Sequence, residues 1–403
     1  MAMSRPLRIA AVVLAAAVAA AGAGAARQAT PGVTSDSILL GGTAPLSGEA
    51  SAGAGVAKGA EAYFKYVNDQ GGVFGRKITY KYLDDGYEPQ RTFLAMRQLV
   101  QQDGVFAMFN TLGTNNNVAI RSFLNQQDVP QLFVASGATT FGRDAKQYPW
   151  TIGYIPTYKA EAEVYARYIL KTKPRAKIAV LYQDDEYGQD LVSGLQSGLG
   201  NKAKQIVKKV GYDPTSSDVK SEVAQLKASK ANVFMIFAFG KFAIQAFIYA
   251  NQLGWHPQIF VNDVASATSL MVLSPAKATE GAISIVFGKD PDLALWKSDK
   301  GMKLFGRIMK RYDPGDNPNG YHIAGMASAY TMVDALRKAG KNLTRKGVMN
   351  AATHLNEKGN PFVLPGIVVR TTPTFRYPVS QVKLQRWHKG HWVIFGPLLS
   401  AKP

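Results

Sequence analysis

The stretch KIAVLYQDDEYGQDLVSGLQSGLG, Lys177 to Gly200, decides the fold. Lys177 to Tyr182 is a short apolar run bounded by polar residues and reads as a strand buried on both faces. Gly188 to Leu199 then carries apolar residues at helical spacing and ends at a glycine, the usual stop signal. The same unit repeats on either side. Glu161 to Leu170 is helical, Ile206 to Val210 a strand, Val219 to Ala228 a helix, Asn232 to Phe239 a strand, Phe242 to Leu253 a helix and Gln258 to Val261 a strand. Parallel strands need a crossover, usually helical, so this alternation predicts a parallel sheet with helices on both faces.

A second series precedes it. Ser37 to Thr43 (SILLGGT) reads as a strand closed by the turn Pro45-Leu46-Ser47-Gly48, and Val56, Ala60, Phe64 and Val67 mark a helix stopped at Gly71-Gly72. Lys77 to Leu83 is a strand, Pro89 opens a helix as a first-turn proline, and Val105 to Phe109, Asn117 to Asn125 and Gln131 to Ala135 are strand, helix and strand. Two doubly wound series mean two α/β lobes. Between Gly288 and Pro318 the chain is rich in Pro, Gly and Asp around one helix bearing Trp296, Phe305 and Ile308, and a further helix runs from Ile323 to Lys338. Gln381 to Trp387 and His391 to Phe395, joined at Lys389-Gly390, read as a hairpin.

Composition narrows the function. The 403 residues are 46% hydrophobic and contain no cysteine, which excludes disorder, a disulfide scaffold, thiolate metal sites and lipid attachment through cysteine. The formal charge of +19 would suit nucleic acid if Lys and Arg were clustered, but they are dispersed singly or in pairs such as Lys208-Lys209, so no nucleic-acid partner is expected. Arg5 and Arg8 precede the uncharged run Ile9 to Ala26, which ends in Ala21-Gly22-Ala23 and Ala23-Gly24-Ala25. That is the layout of a cleaved secretory signal over residues 1–26. An uncleaved anchor helix is the rival, disfavoured because Ala and Gly insert weakly. Loss of Arg5 and Arg8 leaves 19 − 2 = +17.

No enzyme can be assembled from the motifs. G-x-S-x-G, H-E-x-x-H and G-x-x-x-x-G-K-[ST] are all absent. Gly53, Gly55 and Gly59 have the wrong spacing for a dinucleotide loop and read as a turn with close packing at Gly59. The five histidines are scattered, and Asp313 to Gly320 fails as a calcium loop because Gly315 falls at its first position, so no metal is expected. Asp84-Asp85 and Asp184-Asp185 each follow a strand; an exported hydrolase would use them, whereas turn and helix-cap roles are their ordinary use. Two loops stand out instead, Asn110 to Asn117 and Ser136-Gly137-Ala138-Thr139-Thr140. Free backbone N–H groups at a helix start, with hydroxyls and small residues, make a cradle for a carboxylate.

Pro45-Leu46-Ser47-Gly48, Gly59-Ala60-Glu61, Val67 to Ile78 (VNDQGGVFGRKI), Leu83-Asp84-Asp85, Val129 to Thr139 (VPQLFVASGAT) and Asp185 to Gln189 (DEYGQ) resemble, in order, the periplasmic branched-chain amino acid (leucine/isoleucine/valine) binding proteins of ABC transporters. The resemblance implies a type I periplasmic binding protein fold, two doubly wound parallel-sheet lobes on a hinge of three crossovers. Its lobes would be 33–156 plus 290–366 and 157–289 plus 367–403. It implies a monomer without cofactor, not an enzyme, that closes on a small carboxylate, a branched-chain or other apolar amino acid, and delivers it to an inner-membrane permease. By the same resemblance Thr114 and Asn115 hold the ligand carboxylate, and Gly137, Ala138 and Thr139 contact its carboxylate or ammonium. Tyr187 closes over it from the second lobe, Phe239 lies beside it, and Asp263 pairs with the ammonium. Were Asp263 turned away, Trp150, Tyr154, Tyr158 and Phe239 would favour an aromatic carboxylate; amides are a further alternative. Two departures bear on specificity: Asn115-Asn116-Asn117 lacks the usual Ser/Thr run, and Ala52 stands near a common Tyr. Without cysteine the lipoprotein form is ruled out, which implies free diffusion in a periplasm.

Overall fold

A computed structural model of the chain describes residues 30–403, and the signal read over 1–26 lies outside the described residues. The chain begins with β1 (Ser37–Ala44), α1 (Gly55–Asp69), β2 (Lys77–Asp84), α2 (Pro89–Arg97), β3 (Ala107–Phe109), α3 (Thr114–Gln126), β4 (Gln131–Val134), the single turn α4 (Thr140–Arg143) and β5 (Thr151–Gly153). These strands form one parallel sheet in the order β2-β1-β3-β4-β5. The second series is α5 (Tyr158–Thr172), β6 (Ile178–Gln183), α6 (Glu186–Leu199), β7 (Ile206–Tyr212), α7 (Lys220–Ala228), β8 (Val233–Phe237), α8 (Lys241–Gln252), β9 (Gln258–Val261), the short α9 (Thr268–Met271) and α10 (Ala276–Thr279), and β10 (Ile283–Val286). The chain then returns to the first lobe. There α11 (Lys300–Tyr312) and α12 (Gly320–Ala339) pack on α1, and α13 (Arg345–Ala352) is held by Arg345 on the carbonyls of Val105 and Phe106. After the small pair β11 (Asn356–Lys358) and β12 (Val368–Arg370), the hairpin β13 (Gln381–His388) and β14 (His391–Ser400) completes the second sheet, ordered β14-β13-β10-β9-β8-β6-β7. Three segments, 154–157, 287–299 and 371–380, pass between the lobes.

The strand readings hold because the pattern is strong: every residue of β8 is buried, as a central strand covered on both faces must be. In the second sheet the parallel order gives way at one end, where β13 runs antiparallel both to β10 and to the edge strand β14. Helix starts were less visible. α3 begins at Thr114, three residues before the reading at Asn117, because Gly113 takes φ 104° and the Asn117 amide donates to the carbonyls of Gly113 and Thr111 at 2.7 and 2.8 Å. α5 begins at Tyr158 because the Thr157 hydroxyl accepts the Ala160 N–H. Trp296 belongs to a separate turn, Ala294–Trp296, ahead of α11. β5, β10, α13 and the β11–β12 pair were not read at all.

Gly59 has the packing role that its spacing suggested. A Cβ there would lie 2.1 Å from the His322 carbonyl oxygen, and one on Gly325 would lie 1.9 Å from that of Val56. The two glycines let α1 and α12 approach backbone to backbone. His322 is buried in this contact, where its ring meets the Asn319 cap and the Asp316 carboxylate.

Candidate ligand-binding site

In a parallel sheet all loops leaving the carboxyl ends of strands gather at one edge, and here the two edges face each other. Tyr87 follows β2, Asn110 and Leu112 follow β3, Phe239 follows β8 and Asp263 follows β9; all line one cavity of about 130 Å³ between the lobes. The cleft is closed. The rings of Tyr87 and Phe239, one from each lobe, stand 5.6 Å apart, and Lys241 pairs with Glu49 across the rim at 3.0 Å. Tyr158 meets Tyr187 edge to face at 4.9 Å, and the Tyr321 hydroxyl of α12 donates to the Val264 carbonyl at 2.8 Å.

Charge on the wall is unevenly satisfied. Asp290 accepts the Thr268 hydroxyl at 2.6 Å and the Asp292 N–H at 2.9 Å. Lys289, buried, is spent on Asp299 and the Pro361 carbonyl at 2.8 and 2.9 Å. The Asp263 carboxylate lines the cavity and has no hydrogen-bond or ion-pair partner among the described residues. Burial raises its pKa, the response of a carboxyl group that lacks a compensating charge. An uncompensated carboxylate on a cavity wall can take a cation as its partner. At the opposite wall Gly113, the N-cap of α3, also lines the cavity, and no side chain caps that helix. Its first N–H groups are the donors an anion would use.

Of the residues assigned from the resemblance, Tyr154, Tyr187, Phe239 and Asp263 come together on the cavity wall. The others stand behind it, engaged by the protein itself. Thr114 shares a hydrogen bond of 2.7 Å with Ser136, and the Asn115 amide donates to Asp185 at 3.0 Å. The Ala138 N–H donates to the Ser136 hydroxyl, and Gly137 fits only as glycine, since a Cβ would lie 2.4 Å from the Pro156 carbonyl oxygen. Thr139 is bound to Asp190 of α6 through both its N–H and its hydroxyl. Sequence reasoning missed Tyr87, Lys289, Asp290 and Tyr321. Tyr87 had a signal, its place directly after a strand and an Asp-Asp-Gly turn; Tyr321 in a helix start from a distant part of the chain had none.

The acidic pairs are structural. Asp84 anchors the Pro45 to Gly48 turn. Burial opposes its charge, but the Ser47 hydroxyl and the N–H groups of Gly86, Ser47 and Leu46 hold its carboxyl down at about 2. Asp85 accepts Tyr87 N–H and the Thr92 hydroxyl, and Asp185 caps α6 through the N–H groups of Tyr187 and Gly188. Asp313, Asp316 and His322 lie close enough to suggest a metal, but Lys58 already gives Asp316 its counter-charge at 2.7 Å. No helix of the described residues is long and apolar enough to cross a membrane.

The profile of the family described as periplasmic binding protein matches residues 37–391. The chain belongs to the periplasmic binding protein family. As such it is a binding protein, not an enzyme. This binding protein is 30% identical over 220 residues to Leu/Ile/Val-binding protein homolog 3 of Brucella melitensis biotype 1; that match covers 54% of this chain and 57% of the relative, little more than half its length. It is 25% identical over 330 residues to Leu/Ile/Val-binding protein homolog 2 of Brucella abortus, covering 81% of this chain and 83% of the relative. A branched chain amino acid ABC transporter structure from Thermus thermophilus with bound valine superimposes with a TM-score of 0.81 at 17% identity, over 91% of this chain and 97% of that one. The fold of this binding protein is therefore the two-lobed type I arrangement.

Proposed function

We propose that the protein is an extracytoplasmic receptor that captures a small amino acid between its lobes and hands it to an ABC permease. The unpartnered Asp263 carboxylate on the wall of a closed interlobe cavity carries this reading. A zwitterion satisfies it, with the ammonium on Asp263 and the carboxylate at the uncapped start of α3, while its side chain meets apolar and aromatic walls. An acid without an amine would leave Asp263 desolvated and unpaired, and Lys289, the lysine of the wall, is already neutralised by Asp299. The small cavity favours a side chain of branched-chain size over a long one. The names of the Brucella relatives and of the valine-bound Thermus structure support the same class. The lobes 33–156 plus 290–366 and 157–289 plus 367–403 would then close as two bodies on their three crossovers. Residence in the periplasm as a monomer, after removal of residues 1–26, fits this role. The test is calorimetric titration of purified protein with leucine, isoleucine, valine and benzoate. Binding of the amino acids and not of benzoate is expected; equal binding of benzoate, or no binding of any amino acid, rejects the reading.

A further inference from the structure

Behind Asp263 stands a second carboxylate. Glu161, in the first turn of α5, is buried, and its Oε1 accepts the backbone N–H of Asp263 at 2.7 Å and the Tyr165 hydroxyl at 2.7 Å. The Tyr165 oxygen also accepts the Ile285 N–H at 3.1 Å and lies 3.0 Å from the Val261 carbonyl, so this hub ties α5 to the ends of β9 and β10. Asp263 opens a single turn, Asp263–Ala265, and its side chain has no partner of its own. The direction of that side chain is therefore set by its backbone, and the N–H of that backbone is held by Glu161.

We propose that Glu161 is a positioning residue of the ligand site: it fixes the turn that aims Asp263 into the cavity, and its own carboxylate strengthens the preference for ligands bearing an ammonium. The inference rests on the binding reading above and adds a second acidic group to it. The groups facing the pair are Tyr165 on α5, Tyr158 and Tyr187 beside Glu161, and Tyr321 across from Asp263; none is a cation. Burial raises the Glu161 carboxyl, and the charge of Asp263 raises it further. Burial raises the Asp263 carboxyl as well, so the pair takes up its charge only above the ordinary carboxylate range, and a bound ammonium supplies the counter-charge that the protein lacks.

Two variants separate its two roles. E161Q keeps an acceptor for the Asp263 N–H but cannot ionise, while E161L removes the acceptor. The readout is the ratio of affinities for leucine and 4-methylpentanoate, which lacks the amine, at about pH 6 and about pH 8.5, where the leucine ammonium persists. E161Q should match the wild type at the lower pH and lose preference for leucine by about fivefold at the higher one. E161L should lose preference at both, and D263N should have none at either. If both Glu161 variants keep the wild-type ratio at both pH values while D263N loses it, Glu161 is idle and the binding reading survives. An equal loss in E161Q at both pH values overturns the charge role. If the wild type shows no preference for the amine, both proposals fall. Should E161L fail to fold, the pH dependence of E161Q alone decides.

Discussion

Thr139 of the first lobe donates its backbone N–H and its hydroxyl to the same oxygen of Asp190 in the second, at 2.9 and 2.8 Å. These bonds join the two lobes in the closed arrangement. Hydrogen bonds to a charged acceptor contribute roughly 1.5–3 kcal/mol each. D190A is expected to speed ligand dissociation by about tenfold or more, with little change in the association rate. Stopped-flow measurement of both rates checks this; an unchanged dissociation rate would show that the pair does not hold the closed form.

Asp263→Asn keeps shape and removes charge. Leaving a buried ammonium without its partner costs about 2–5 kcal/mol, so affinity for a zwitterion should fall by about thirtyfold or more. The circular dichroism of the free protein should be unchanged. Calorimetric titration with leucine reads the loss, and wild-type affinity in D263N would remove the ammonium from this wall.

Gly325→Val places carbon where the Val56 carbonyl oxygen already sits, 1.9 Å from a Cβ, and the backbone on the other side is a helix that cannot give. Gly306 on α11 has nothing within 4 Å of an added Cβ. G325V should therefore lose soluble expression or melt far below the wild type, while G306A should melt at the wild-type temperature or up to a few degrees higher. Equal melting of the two in differential scanning calorimetry would refute close packing of α1 and α12.

Glu357 is buried beside the first crossover, where its Oε1 accepts the Thr331 hydroxyl and the Asn360 amide at 3.0 and 2.9 Å and its Oε2 has no partner. Burial pushes its carboxyl up to about 7, partly offset by those two bonds. A carboxyl raised in the folded state binds its proton there and not in the unfolded chain between about pH 4.5 and 7, so its contribution to stability falls as pH rises through that window. Glu357→Gln should melt a few degrees above the wild type at about pH 8, and the gap should close by about pH 4.5. A gap of equal size at both pH values would contradict this.

The fold was legible because its decisive strands are uninterrupted apolar runs, as in Val233–Phe237, and its helices carry a clear apolar stripe, as in Val56, Ala60, Phe64 and Val67. Short edge elements such as Thr151–Gly153 escaped because three residues carry too little pattern. Of the candidate site, Tyr187, Phe239 and Asp263 are reached through the resemblance of their flanking motifs to a known family, and all three line the interlobe cavity. Thr139 shows the limit. Its neighbours along the chain say that it can donate to a carboxylate, and only the fold shows that Asp190 supplies one. Lys289 and Tyr321 reach the cavity through crossovers and helix packing set by residues hundreds of positions away, which no local pattern encodes.

The meeting of α1 with α12 through Gly59 and Gly325 has a kinetic consequence. The first sheet is complete by residue 153, yet the helix that covers α1 begins only at Gly320. During synthesis the apolar face of α1 waits for about 250 further residues (320 − 69 = 251), among them most of the second lobe. Such late, non-local closure makes folding slow and leaves sticky surface exposed for its duration.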